Sequence, residues 1–300
     1  MDASENVAAV RRMQAYIQDH LSEPITLHQL AAEAGYSPYH SARMFRALTG
    51  RAPFAYMRAL RLTQAALALR DGSPRVVDVA LDFLFDSHEG FTRAFSREFG
   101  ISPHKYSAHP IPIRLFLPNE AGAGRLKKHK EDNAMSVKSL PIFTQVVERP
   151  ARKLLLKRGV KAEDYFAYCQ EEGCDIWGVL CSVKEALYEP VGMWLPDSLR
   201  PAGTSLYAQG VELPADWAGE VPEGFDLIDL AACTMMVFQG PRYDEDDFRE
   251  AIEEVWTALE SYDPTLYGYE WATDAAPRMQ LAPMGSRGYI ELRPVRKIAR

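Results

Sequence analysis

Two stretches of this chain carry one pattern, and that duplication restricts the fold more than any other feature. Leu30-Ala31-Ala32-Glu33-Ala34-Gly35-Tyr36 aligns with Val79-Ala80-Leu81-Asp82-Phe83-Leu84-Phe85 at an offset of 49 residues. One extra residue enters at the turn and the offset becomes 50, so that Arg43 matches Arg93, Phe45 matches Phe95, Gly50 matches Gly100, Pro53 matches Pro103 and Tyr56 matches Tyr106. Each copy reads as a short helix, a turn, a longer helix, then Gly and Pro as stop signals. Ser37-Pro38 and Asp86-Ser87 supply cap-type residues for the second helix of each copy. Between the copies, Pro53 to Arg70 reads as one helix of roughly 27 Å, since each residue rises ~1.5 Å.

A helix turns ~100° per residue, which sorts the faces of the second helices. Ser41, Met44, Phe45 and Leu48 share an inner side in the first copy; Phe91, Ala94, Phe95 and Phe99 share it in the second. The outer stripe holds Tyr39, Ala42, Arg43 and Arg46, then Glu89, Thr92, Arg93 and Ser96, and His40, His88 and Arg97 join it as DNA-binding candidates. A plain solvated face usually carries Glu–Lys pairs. Here arginines and small or hydrogen-bonding groups dominate, the donors that meet base edges and phosphates in a major groove. A long helix as strut places two such helices about one DNA turn, ~34 Å, apart.

On these residues, 8–108 resembles the DNA-binding domain of the AraC family; the second copy, Val76 to Tyr106, carries most of the signature. The resemblance implies two helix-turn-helix units in one polypeptide reading successive major grooves of double-stranded DNA. It places Tyr39, His40, Ala42 and Arg43, then His88, Glu89, Thr92 and Arg93, at base-facing positions. Leu84 departs from the family, which has Gly after the shorter helix. A left-handed residue there costs a side chain ~1 kcal/mol.

Charge follows the same division. Residues 1–110 hold 12 Lys/Arg and 11 Asp/Glu, whereas residues 137–300 hold 17 and 27. A DNA site in the first part must therefore rest on placed arginines, not a diffuse basic field. All seven His precede residue 130, and all four Cys and all five Trp follow it. The cysteine spacings match neither a metal site nor a redox motif, so Cys169, Cys174, Cys181 and Cys233 are expected as reduced, buried thiols. No metal, cofactor or membrane span is expected, and a cytoplasmic location is.

The expected organisation is multidomain: an all-α DNA-binding domain over 7–108, a linker over 109–138, and an α+β domain over 139–300. In the linker, PIPIRLFLP reads as partly extended, and Lys127, Lys128 and Lys130 as a solvated charge run. Beyond it, Phe143 to Glu148 and Lys153 to Lys157 read as paired strands around Arg149-Pro150, and 163–188 as mostly helical. Strands follow at 192–195, 204–213, 233–238, 278–281 and 288–294, with an amphipathic helix over 244–259. A strand–helix–strand–strand unit occurring twice implies an antiparallel sheet with helices on one face.

Gly192 to Leu213, Cys233 to Leu259 and Gly288 to Lys297 make this second domain similar to the gyrase-inhibitor-like, small-molecule-binding family. The resemblance implies an effector pocket between two pseudo-repeats, with an acid and aromatic walls suited to lipophilic cations, as in multidrug sensing. Glu291 matches its final-strand acid; Gln280 stands where the family often has a second Glu. Trp177, Trp194, Tyr207 and Tyr289 are the candidate walls, and lining stays open against core for these rings. Trp256, on the amphipathic helix, is expected in the core. With no His in this domain, Ser-His-Asp and Cys-His catalysis cannot arise within it. The readings are a transcription regulator with an effector sensor that changes contacts with RNA polymerase, a partner-binding module, and a Glu/Tyr hydrolase.

Overall fold

A computed structural model of the chain describes residues 3–72, 74–118, 141–173 and 175–299. The run Lys127, Lys128, Lys130 and Cys174 lie outside the described residues. The chain divides into two compact units, Met1–Lys130 and Glu131–Arg300.

The first unit is helical: α1 Ala3–Asp19, α2 Leu27–Ala34, α3 Pro38–Thr49, α4 Pro53–Asp71, α5 Val76–Asp82, α6 His88–Phe99 and α7 Pro103–Ala108. The two copies of the repeat become α2–α3 and α5–α6, with α4 as the long connecting helix. Each longer helix is started by a serine: Ser37 accepts from the His40 amide and Ser87 from the Gly90 amide. Each is stopped by a left-handed glycine, Gly50 at φ 78° and Gly100 at φ 72°. The turn after the shorter helix differs between copies. Gly35 holds φ 73° in the first, and Leu84 holds φ 58° in the second, the one positive-φ residue other than Gly among the described residues.

Met13, Ile17, Leu30, Phe45, Tyr56 and Leu60 form the core of the first copy, so α1 closes over it. Gln14 Nε2 donates to the Tyr56 hydroxyl at 2.9 Å. In the second copy Phe91, Phe95 and Tyr106 are fully buried. Residues 113–116 pack back onto this unit. Thr63 Oγ1 accepts from the Phe116 amide and donates to its carbonyl, and the Phe116 ring meets Tyr56 edge-on with Arg51 on its face.

The second unit contains an antiparallel sheet whose strands are β1 Phe143–Arg149, β2 Arg152–Arg158, β3 Val191–Trp194, β4 Tyr207–Leu213, β5 Asp226–Leu230, β6 Cys233–Gln239, β7 Tyr269–Trp271, β8 Arg278–Leu281 and β9 Ile290–Lys297. Their order is β1-β6-β9-β8-β3-β4-β2-β5, with β7 on β9. The helices are α8 Tyr165–Glu172, α9 Ile176–Cys181 and α10 Phe248–Glu260, the last preceded by a short turn at Glu245–Asp247. Alternation along the strands divides the sheet. Leu154, Leu156, Met193, Met235 and Leu292 face one way; Leu155, Tyr207 and Val211 face α8 and α9; Met236, Phe238 and Val295 face α10.

The hairpin expected around Arg149-Pro150 is corrected. β1 pairs with β6, whereas β2 lies between β4 and β5 on the other side of the sheet. The leucine triplet Leu154–Leu156 is fully buried, and a strand covered on both faces belongs inside a sheet with neighbours on both sides. The exposed and half-buried pattern of β1 suits an edge. The expected helical span 163–188 resolves into two short helices, and β5 and β7 were not anticipated.

Candidate functional site

The outer stripes of α3 and α6 lie where the repeat places them. Tyr39, Arg43 and Arg46 are exposed on α3, with Ala42 half-buried; His88, Glu89, Arg93 and Arg97 are exposed on α6, with Thr92 half-buried. None of Arg43, Arg46, Arg93 and Arg97 has an ion pair or hydrogen bond among the described residues. Four guanidiniums on two equivalent helix faces are thus free to donate to phosphates or base edges. His40 sits differently: it is half-buried, its ring tilts against Tyr36 at 5.0 Å, and its Nε2 is enclosed with no partner among the described residues. Ser41, Met44, Phe45, Phe91, Ala94 and Phe95 are buried and orient these faces. Arg51 and Glu98 approach to 3.7 Å, tying the joint before α4 to α6.

In the second unit the register brings another group together. Trp194 on β3 lies between Tyr207 on β4 and Arg278 on β8, and Gln280 on β8 lies opposite both Gly192 and Glu291. These residues share the helix-facing side of the sheet. Glu291 is fully buried. Its Oε2 accepts from Arg278 Nη2 at 2.6 Å and from the Tyr289 hydroxyl at 2.9 Å; its Oε1 accepts from Arg293 Nε at 2.6 Å. Trp256 Nε1 donates to the Tyr289 oxygen at 2.9 Å, and Gln280 Nε2 reaches the Tyr207 oxygen at 3.3 Å.

The rings enclose this network. Trp194 meets Tyr207 edge-on at 5.4 Å and Trp256 at 6.1 Å. The Arg278 guanidinium lies 4.2 Å from the Trp194 ring centre and 5.3 Å from that of Trp256. Burial raises the Tyr207 phenol, and burial followed by the Glu291 charge raises that of Tyr289, so both stay protonated. The cluster brings π faces, phenol hydroxyls, a carboxamide and a carboxylate together, with Tyr207, Tyr289, Gln280 and Glu291 buried.

Trp194, Tyr207, Tyr289 and Glu291 therefore converge. Trp177, half-buried on α9, shares no ring contact or hydrogen bond with them among the described residues. The sequence reading missed Arg278 and Arg293; Trp256, expected in the core, packs against Ile252, Val255 and Leu259 while half-buried, and its Nε1 turns toward Tyr289. Alternation along β8 held the missing signal, because it puts Arg278 on the face of Gln280. Among the described residues no cluster of His, Cys, Asp or Glu is arranged to hold a metal ion, and no helix is long and apolar enough to cross a membrane. Among the described residues Cys169, Cys181 and Cys233 form no disulfide, and they are half-buried rather than buried.

A helix-turn-helix domain family matches residues 30–109. The Right origin-binding protein of Escherichia coli strain K12 is 41% identical over 128 residues, covering 42% of this chain and 44% of that protein. The chain thus spans less than half the length of that relative. The multiple antibiotic resistance protein MarA of Salmonella typhimurium is 33% identical over 91 residues, covering 30% of this chain and 72% of that protein. Among solved structures, the DNA-binding domain of AdpA, a global transcriptional factor in complex with a target DNA, is 33% identical at a TM-score of 0.32, covering 33% of this chain and 89% of that one.

Proposed function

The chain belongs to the AraC family of helix-turn-helix transcription regulators, and from that premise we propose that α3 and α6 are its two recognition helices and that a small effector bound in the second unit controls them. The observation that carries the DNA half is the set of four unpaired arginines, Arg43 and Arg46 on α3 and Arg93 and Arg97 on α6. α4 spans 19 residues, or about 28 Å of helix, a strut of the length needed to hold two helices in successive major grooves. Tyr39, His88, Glu89 and Thr92 complete the reading surface, with Ala42 offering an apolar contact to a thymine methyl. His40, packed against Tyr36, sets the height of α3 in its groove.

For the second unit we favour the gyrase-inhibitor-like reading, a duplicated strand–helix–strand–strand unit. In support, the order β2-β4-β3 on one side of the β3–β8 pair mirrors β6-β9-β8 on the other. The cluster of Trp194, Tyr207, Tyr289 and Glu291 falls at that seam, where an effector pocket between pseudo-repeats belongs. An effector bound there changes how the first unit engages promoter DNA and, through it, RNA polymerase. Glu291 is committed to two guanidiniums and a phenol, an arrangement suited to binding charge rather than to exchanging a proton with substrate.

The test is selection of DNA from a random pool by the full chain, followed by gel shifts of the selected duplex. Arg43→Ala and Arg93→Ala should each lose about 1–3 kcal/mol of discrimination at one contacted base. Normal discrimination by both variants at physiological salt would remove α3 and α6 from the grooves.

A further inference from the structure

The seam cluster already contains a cation. Arg278 stands opposite Trp194 in the β3–β8 register, and its guanidinium is bounded by the Trp194 ring, the Trp256 ring and the Glu291 carboxylate, with the Tyr289 hydroxyl on the same carboxylate oxygen. Two indole faces and a buried carboxylate are the contacts by which proteins recognise a planar organic cation. Resting on the reading of this cluster as the effector site, we propose that Arg278 is a tethered occupant of a cation cage, and that a planar organic cation enters by displacing its guanidinium.

Three features make Arg278 the exchangeable group. Its side chain is 32% exposed while Glu291 is fully buried, so the guanidinium has a route to solvent that its partner lacks. Its Nε is enclosed yet has no partner among the described residues, so the grip is on one end of the guanidinium. Arg293 also holds Glu291, through the other oxygen at 2.6 Å, and its own guanidinium lies over Trp271. When Arg278 withdraws, Glu291 keeps a charged partner, which avoids the large cost of stranding a buried carboxylate. A guest then gains both indole faces and Oε2.

Competition by a tethered group lowers apparent affinity by the fraction of time that the cage stands open. With Arg278 in place nine-tenths of the time, the wild-type chain binds a planar cation about tenfold more weakly than the open cage does. The site then responds to high concentrations of such a compound, or to one whose aromatic body reaches beyond the guanidinium. It excludes weak cations that would fill an empty cage.

Benzamidinium is a suitable probe: planar, cationic and free of metal. Its binding to the full chain, read by tryptophan fluorescence and calorimetry, should tighten about tenfold or more in Arg278→Ala and in Arg278→Met, the latter keeping the apolar stem. Glu291→Gln added to Arg278→Ala should abolish the gain. In the wild-type chain, saturating benzamidinium should bring the Arg278 Nε–H into fast exchange with water, an NMR readout that needs no variant. The proposal is overturned if both single variants melt cooperatively and bind no tighter than wild type, if the gain survives Glu291→Gln, or if the Nε–H stays protected at saturation. Gel shifts with the selected DNA separate the underlying reading. A tenfold gain with unchanged DNA affinity, with and without benzamidinium, leaves the cage standing and removes the regulatory role from this site.

Discussion

Tyr56 and Tyr106 occupy one position of the repeat, and their hydroxyls meet different surroundings. Both rings are buried, but the Tyr56 oxygen accepts from Gln14 on α1, whereas the Tyr106 oxygen has no partner among the described residues. Burial pushes the Tyr106 phenol up to about 12, so it stays neutral across the physiological range. Tyr56→Phe should therefore destabilise the helical unit by about 1–2 kcal/mol, since it leaves the buried Gln14 amide with a lost acceptor. Tyr106→Phe should be neutral or stabilise it by up to about 1 kcal/mol, because an unpaired buried hydroxyl is removed. Urea melts of the two variants decide the matter, and equal losses would show that the Tyr106 hydroxyl is hydrogen-bonded as the Tyr56 hydroxyl is. Leu84 gives a second contrast at this scale. Its φ of 58° costs a side chain about 1–2 kcal/mol, of which glycine's greater freedom in the unfolded chain takes back about half. Leu84→Gly should stabilise the unit by about 0.5 kcal/mol, read as a shift in the urea midpoint at constant slope; a loss would mean that the half-exposed leucine makes contacts worth more than the strain.

Elements were legible where the sequence states its own boundaries. α3, α4 and α6 are marked by Ser37, Ser87, Pro38, Pro53, Gly50 and Gly100, all local signals, so their spans were close to those observed. Alternation sets Glu291 on the face opposite Ile290 and Leu292, and there it is buried rather than solvated. Strand pairing was not legible in the same way, because a partner is chosen by burial across long loops. β1 and β2 adjoin in sequence and lie on opposite sides of the sheet, and no residue near Pro150 says so. The cluster around Glu291 was half legible for a related reason: Trp194, Tyr207, Tyr289 and Glu291 stand out as residue types, whereas Arg278 joins them through the β3–β8 register. That register depends on Gly192. A Cβ there would sit 2.3 Å from the Tyr207 oxygen and 3.1 Å from the Gln280 side chain. Gly192→Ala should force both groups aside and cost the second unit about 1–3 kcal/mol. The change should appear as a shifted tryptophan emission and a lower melting midpoint in that unit, with the midpoint of the helical unit unmoved. An unaltered spectrum would show that β3 can move away from Tyr207 without strain.

At the scale of the whole chain, charge is distributed unequally between the two compact units. Residues 1–110 carry 12 basic and 11 acidic groups, so if the proposed arginines supply the phosphate contacts, salt dependence should be shallow for a DNA-binding protein. Residues 137–300 carry 17 basic and 27 acidic groups, a field that repels a phosphate backbone. That repulsion acts over the Debye length, about 30 Å at 0.01 M salt and about 8 Å at 0.15 M. A fragment ending at residue 118 keeps the Thr63–Phe116 contacts and the whole helical core. At 0.01 M salt it should bind a given duplex several-fold more tightly than the full chain does. By about 0.15 M the two should converge, because only charges within about 8 Å still act. Titrations across that range, plotted as log affinity against log salt, give two lines that meet. A gap that persists at high salt would mean that the acidic unit influences DNA binding through contacts, and parallel lines would remove long-range repulsion from the account.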